Sequence, residues 1–291
     1  MTHTEETLLQ LIRAQSSCFD PIPTDLERST TPIKGIRHIA FDVYGTLLSS
    51  GVGDIGNSAP ADRGAALTSV LTEAGISDLP SSPELEELYR AEIQQSQAES
   101  SAQGAIKAEV EIRDVWRALV DKVGGNDSIP DAKIPEIALR FELAVNPVWP
   151  MPHLLGVLEL LAMRFAPYTI VSNAQFFTPL LFPALTHKTL ADLHFLESSC
   201  IWSYELREAK PSPRLFEKLI ENLSETFKPA EILYVGNDML NDISAAQKAG
   251  LRTALFAGDQ RSLRLREDHP DCQGVEPDLV LTSLADLPKL V

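Results

Sequence analysis

Short apolar runs alternate with amphipathic stretches along most of the chain, and this alternation predicts the fold class. His38–Tyr44 (HIAFDVY) reads as a short buried strand that stops at Gly45. Similar runs recur at Tyr168–Ser172 (YTIVS), Glu231–Val235 (EILYV), Thr253–Phe256 (TALF) and Asp278–Leu281 (DLVL), with a strand-like segment around Cys200–Tyr204. Between them the pattern is helical at Leu154–Met163, Pro213–Leu223 and Asn241–Ala249, the last closed by Gly250 as a C-cap. Strands alternating with helices imply a parallel α/β sheet, because a parallel neighbour is reached only through a crossover.

Residues 60–145 break that rhythm. Strand patterns are few, and helices are predicted over Arg63–Ala74, Pro83–Ala98 and Ala108–Val120, with turns at Gly75, Ser81–Pro83 and Gly124–Asp127. This stretch is therefore a helical insert between the first and second strands of the sheet, its end marked by prolines from Pro147 to Pro152. At the start of the chain, residues 5–15 form an amphipathic helix, and Pro21, Pro23 and Pro32 make residues 18–35 a linker. The expected division is an N-terminal helix and linker at 1–35, a Rossmann-like parallel-sheet core at 36–58 and 147–291, and an α-helical cap at 59–146.

Composition narrows the function classes. With 291 residues, 44% of them hydrophobic, a sizeable core is easy to build. No apolar run approaches the roughly 18 residues of a membrane helix; the stretch Leu154–Phe165 is interrupted by Gly156, Glu159 and Arg164. Residues 1–20 lack the pattern of a secretory signal, so a cytoplasmic location is expected. Cys18, Cys200 and Cys272 lie far apart and form no CxxC, which suggests neither a zinc site nor a disulfide framework. The net charge of −16 argues against nucleic acid as a partner. It leaves room for a small anionic substrate, because a lysine or metal ion can reverse the field inside a cleft. Oligomeric state has no marker in the sequence.

Candidate chemistry falls at the carboxyl ends of the predicted strands or just beyond them. The first strand leads into Asp42-Val43-Tyr44-Gly45-Thr46 and the second ends in Ser172-Asn173. Lys210-Pro211 follows the segment near Cys200–Tyr204, and the next strand ends in Gly236-Asn237-Asp238, with Asp242 one turn further on. Taken singly, each has an ordinary reading: Asp42 and Ser172-Asn173 as turn residues, Lys210 as a solvated charge, Asp238 and Asp242 as acids at a helix start. In an open parallel sheet, however, ligands bind outside these strand ends. A nucleophile candidate, a hydroxyl, a cation and an acidic pair converge there.

Asp42-Val43-Tyr44-Gly45-Thr46-Leu47 resembles the DxxGT signature of the haloacid dehalogenase superfamily. Val171-Ser172-Asn173, Lys210-Pro211-Ser212-Pro213 and Val235-Gly236-Asn237-Asp238-Met239-Leu240-Asn241-Asp242 are similar to its second, third and fourth motifs, in order. The resemblance runs from residue 36 to about 285 and implies a Rossmann-like core with a helical cap inserted after the first motif. It also implies that Asp42 is a covalent nucleophile, that Thr46 and Ser172-Asn173 hold the transferring group, and that Lys210 neutralises Asp42 and the bound anion. By the same resemblance Asp238, Asp42 and the Tyr44 carbonyl would bind Mg²⁺, while Asp242 would orient Lys210 or a metal-bound water.

Two positions depart from the family's phosphatases. Tyr44 stands where a second Asp would act as general acid and base; a phenol with an ordinary pKa near 10 does that work poorly at neutral pH. Family members with Tyr there include the 2-haloacid dehalogenases, whose halide leaves as a stable anion and needs no acid. Asn237 stands directly after Gly236, where many relatives have Asp. The acidic pair Asp238/Asp242 makes a Mg²⁺-dependent phosphatase working through an aspartyl-phosphate on Asp42 the first reading. A metal-independent 2-haloacid dehalogenase is the alternative, and a non-catalytic binding module on the same fold the third. In the cap, Glu109–Trp116 is the most distinctive stretch; Arg113 is a candidate for a substrate anion, against an ordinary amphipathic helix with Trp116 in the core. The six histidines show no ligand spacing, and His38 and His153 are read as structural.

Overall fold

The computed structural model describes residues 3–52, 60–125 and 128–291. In chain order the elements are α1 (His3–Gln15), β1 (His38–Phe41), β2 (Leu48–Ser50), α2 (Pro60–Glu73), α3 (Ser82–Ala102), α4 (Ile112–Lys122), α5 (Ile134–Val145), β3 (Val148–Pro150), α6 (Leu154–Phe165), β4 (Thr169–Ser172), α7 (Thr178–Thr186), β5 (Ile201–Trp202), the short α8 (Ser203–Leu206), α9 (Pro213–Leu223), β6 (Ile232–Gly236), a π-helical turn (Met239–Ser244) running into α10 (Ala245–Lys248), β7 (Arg252–Phe256), β8 (Leu279–Leu281) and α11 (Leu287–Leu290). A six-stranded, wholly parallel sheet has the order β5-β4-β1-β6-β7-β8. Its strands are buried on both faces, which is why they read as continuous apolar runs. From β1 the chain builds outward through β4 and β5, then crosses to the other side of β1 for β6. The two central strands thus flank a topological switch point, where a crevice opens at their carboxyl ends.

The cap, α2 to α5, is inserted between β2 and β3, which pair with each other as an antiparallel ribbon. It has its own core, in which Tyr89, Trp116 and Phe141 pack ring against ring. Among the described residues, no helix is long and apolar enough to cross a membrane.

Several local expectations change in the folded chain. The cap helix expected from Ala108 begins at Ile112, because the preceding backbone is drawn to the core: Glu109 N donates to Arg207 O at 3.0 Å and Ala209 N to Lys107 O at 2.8 Å. The turn expected at Gly124–Asp127 lies partly outside the described residues, as does the expected start of the insert at 59. The helix expected over Asn241–Ala249 is α-helical only from Ala245 to Lys248; its first residues belong to a wide turn over Met239–Ser244, in which Ile243 N and Asp242 N both donate to Asp238 O. Residues 18–35 are irregular, as the prolines dictate, yet they are fastened to the core rather than free. Ser29 N donates to Val280 O and Ile33 N to Leu290 O, Thr24 Oγ1 bonds Ala257 O, and Arg28 pairs with Asp286.

Candidate active site

Asp42 is the first residue past β1. Its amide donates to Val235 O on β6 at 2.9 Å, so central-strand pairing carries it to the carboxyl edge of the sheet. The chain then doubles back, with Gly45 N donating to Leu48 O at 2.7 Å. Gly45 sits at φ +79°, and a Cβ there would come within 2.7 Å of Asn237 Nδ2, so both backbone and space require glycine. The close approach lets Thr46 Oγ1 donate to Asn237 Oδ1 at 3.1 Å, while Asn237 Nδ2 donates to Ser262 O at 2.7 Å.

Lys210 is the hub of the site. Its Nζ donates to Asp42 Oδ1 (2.8 Å), Asp242 Oδ1 (2.6 Å) and the Tyr234 hydroxyl (2.9 Å), which occupies all three of its protons. Asn173 holds the lysine backbone from both sides: Oδ1 accepts from Lys210 N at 2.7 Å and Nδ2 donates to Lys210 O at 3.3 Å. The Tyr234 hydroxyl lies 2.6 Å from Val171 O, to which it donates. Asp242 Oδ2 accepts from the amides of Asn237 and Asp238, both at 2.9 Å. Gly236 permits this return, since a Cβ there would lie 2.4 Å from Asp242 Cγ.

Burial by itself would lower the Lys210 pKa, but Asp242 and Asp42 outweigh it and hold the ammonium above its ordinary value. Burial pushes the Asp242 carboxyl up, opposed chiefly by Lys210. Tyr44 lines the cavity and shares a hydrogen bond of 2.9 Å with Thr178 Oγ1. Burial first, and the nearby Glu142 carboxylate second, raise its phenol far above the ordinary value. Tyr44 therefore stays neutral at physiological pH and cannot replace a carboxylate base.

Asp42, Tyr44, Asn173, Lys210, Asn237, Asp238 and Asp242 all line one cavity of about 390 Å³ between core and cap. Ser172 does not: its side chain is fully buried, and its hydroxyl bonds Asn173 O at 3.3 Å. Thr46 is likewise fully buried and acts through Asn237. Arg113 is turned to Glu111 (Nε to Oε1 2.9 Å) and stacks over Phe176 at 4.8 Å, outside the cavity lining. The cavity cations besides Lys210 are Arg63 from α2 and Arg264 from the loop after β7. Sequence reasoning missed these two, together with Tyr234 and Glu142. A tyrosine or a glutamate inside a strand or helix pattern carries no local mark of its role.

The residues expected to hold Mg²⁺ do not present a matching donor set. Asp238 points both carboxylate oxygens at Arg266, with Oδ2 2.7 Å from Nη2, while Oδ1 caps the amides of Leu240 and Asn241. Both Asp242 oxygens accept from protein donors, and Asp42 Oδ1 is held by Lys210. The residue after Gly236 that leans toward the nucleophile loop is Asn237, an amide engaged by Thr46. Among the described residues, no group of three or more His, Cys, Asp or Glu side chains is arranged to hold a metal ion. A hard divalent cation needs several free oxygens, so this arrangement does not fit one.

Comparison with known proteins places this geometry. The family of haloacid dehalogenase-like hydrolases matches residues 36–250. An uncharacterized protein of Saccharomyces cerevisiae is 29% identical over 148 residues, 46% of this chain and 47% of that protein. The Rhythmically expressed gene 2 protein of Drosophila melanogaster is 30% identical over 110 residues, 38% of this chain and 40% of that protein. The chain thus spans under half the length of these two relatives. Among solved structures, a 2-haloacid dehalogenase from Pseudomonas syringae pv. Tomato superposes with a TM-score of 0.57 at 19% identity, over 88% of this chain and 97% of that one. A defluorinating L-2-haloacid dehalogenase gives 0.50 at 19% identity, over 92% and 99%. At such identities the likeness is one of fold.

Proposed function

The chain belongs to the haloacid dehalogenase-like hydrolases, and from that premise we propose that it hydrolyses a small anionic substrate of the 2-haloacid type without a metal ion, through an ester on Asp42. The observation that carries this reading is the pairing of Asp238 with Arg266. It leaves Lys210 as the cation at the nucleophile and Tyr44 where a phosphatase needs a carboxylic acid. An Asp42 oxygen attacks the carbon bearing the halogen; the C–O bond forms as the C–halogen bond breaks, and halide leaves with the electron pair. Halide is a weak base, so no general acid is required. Water then attacks the Asp42 ester carbonyl. Lys210 stabilises the oxyanion that forms, and Asp242, joined to Asp42 through the Lys210 ammonium, is the carboxylate assigned to take the proton. The tetrahedral intermediate then collapses: the bond between the Asp42 carbonyl carbon and the ester oxygen breaks, the departing alkoxide takes back the proton released by the attacking water, and the products are a 2-hydroxy acid and Asp42 carrying one oxygen from water. Arg63 and Arg264 in the cavity wall suit the substrate carboxylate.

A second reading, the Mg²⁺-dependent phosphatase with an aspartyl-phosphate, keeps one observation: Asp238 lines the same cavity and would serve if it left Arg266. One experiment separates the two. The chelated protein is given 2-chloropropionate and, separately, aryl phosphates with and without Mg²⁺, with halide and phosphate release both followed. Single turnover in ¹⁸O-water should place the label in Asp42 rather than in the product. Phosphate release that requires Mg²⁺, with no halide release, would overturn the dehalogenase reading.

A further inference from the structure

Glu142 is a carboxylate of the cap that the reaction described above does not use. It lies on α5, beside the β2–β3 ribbon, and lines the cavity together with Tyr44, Arg63 and Tyr89. Its Oε1 accepts from Asn146 Nδ2 at 3.0 Å, and Asn146 is itself fixed by Ser50 Oγ at 2.7 Å. Among the described residues its Oε2 accepts no hydrogen bond, and no lysine or arginine lies within ion-pair distance. The other acids in this cavity wall are better provided for: Asp242 accepts from three donors, Asp238 is paired with Arg266, and Glu109 accepts from Ser203. A half-buried carboxylate held by Asn146, with Arg63 acting on its charge and one oxygen open to a ligand cavity, can accept a donor from the ligand.

We infer that Glu142 is a specificity-determining residue that selects an acid carrying a hydrogen-bond donor, a hydroxyl or ammonium group, beyond the reacting carbon. Asp42, Tyr44 and Glu142 all line the same cavity, so a molecule held at the nucleophile shares its chamber with the Glu142 carboxylate. Space agrees. At the roughly 30 Å³ that a water-sized group takes up in the liquid, a cavity of about 390 Å³ holds about a dozen heavy atoms, twice the number in 2-chloropropionate. The cavity therefore has room for a donor group beyond the reacting carbon of such an acid, where Glu142 can accept from it. The substrate class named here rests on the proposed attack of Asp42 on carbon; the binding preference does not.

The test measures binding apart from turnover. Calorimetry with the intact protein compares three acids that cannot react: propionate, 3-hydroxypropionate and 3-aminopropionate. A donor-bearing acid should bind at least about tenfold more tightly than propionate, as expected for a hydrogen bond to a charged group. Glu142→Gln, which keeps an oxygen for Asn146, should bring the ratio for the ammonium acid close to one and reduce that for the hydroxy acid less. The relative size of the two wild-type ratios tells which donor is preferred. Equal binding of all three acids by the wild-type protein would overturn the inference even if the variant failed to fold, as would a ratio unmoved by Glu142→Gln. The 2-chloro derivatives of the same acids then test the reaction. If none of them releases halide while the binding preference stands, the dehalogenase reading falls and the role of Glu142 survives; halide release with no preference does the reverse.

Discussion

At the scale of single residues, the site depends on one cation buried between two carboxylates. Lys210 and Asp242 are 3% and 1% exposed, so neither charge has water to fall back on. Lys210→Met would leave Asp42 and Asp242 as buried like charges and should destabilise the protein by about 3–5 kcal/mol, read from urea unfolding. Asp42→Asn removes the attacking charge and keeps the shape. It should fold normally and lose several orders of magnitude in turnover; a variant retaining more than about a tenth of the wild-type rate would remove Asp42 from the nucleophile role. His38 sets a pH limit on the same strand. Its Nε2 bonds Thr169 Oγ1 at 2.9 Å, and burial lowers its pKa from 6.5 to about 4. A histidine with a lowered pKa binds fewer protons folded than unfolded, so its share of stability is whole above pH 6.5 and drains away as the pH falls toward 4. The loss should reach about 3 kcal/mol across that window, and His38→Gln should flatten it in a series of melts at stepped pH.

At the scale of elements, the N-terminal helix has a larger part than its sequence suggests. Leu8, Leu9, Leu11 and Ile12 on α1 join the core cluster that includes Leu139 and Leu143 of α5 and Leu181 of α7. Arg13 reaches the carbonyls of Pro183 and Ala184 near the end of α7. Phe141 on the far side of α5 and Glu142 on the flank next to Leu139 line the cavity wall, so α1 packs behind a wall of the site. Leu9→Ala should cost about 2–5 kcal/mol by leaving a void. Because α5 shapes the substrate chamber and not the nucleophile, it should also raise KM more than it lowers kcat. Equal loss in both, or loss in kcat alone, would mean that α1 supports the core and not the chamber.

At the scale of the whole molecule, charge governs access. The chain carries −16 overall, and the cavity wall adds Asp42, Glu109, Glu142, Asp238 and Asp242 against Lys210, Arg63 and Arg264. An anionic substrate approaches against this field. Raising the ionic strength from about 10 to 100 mM shortens the screening length from roughly 30 to 10 Å, and kcat/KM for a 2-haloacid should rise with it. A fall would mean that the cavity cations dominate the approach. The cap is stitched to the core by polar contacts near the cavity: Gln175 bonds both Val110 O and Ile112 N, Glu109 accepts from Ser203, and Arg207 pairs with Asp114.

The alternation of strands and helices, the helical insert and the order of polar strand ends could all be read from the chain. Each rests on local physics: the period of apolar residues, the turn chemistry of Gly45 and Gly236, and the rule that parallel strands need crossovers. Asp42, Lys210 and Asp242 were legible for the same reason, because strand ends in such a sheet converge whatever the details. What local pattern does not contain is the direction of a side chain whose partner lies far along the chain. Asp238 looks like a metal ligand until Arg266, 28 residues later, takes its carboxylate, and Arg113 looks like an anion binder until Glu111 and Phe176 take its guanidinium. Glu142 reads as one more polar position of an amphipathic helix until the packing of α5 between α1 and the cavity leaves one oxygen facing the ligand. Tertiary structure alone decides these points, since a buried charge goes where a partner can offset its desolvation, and that partner is named by the fold and not by its neighbours in sequence.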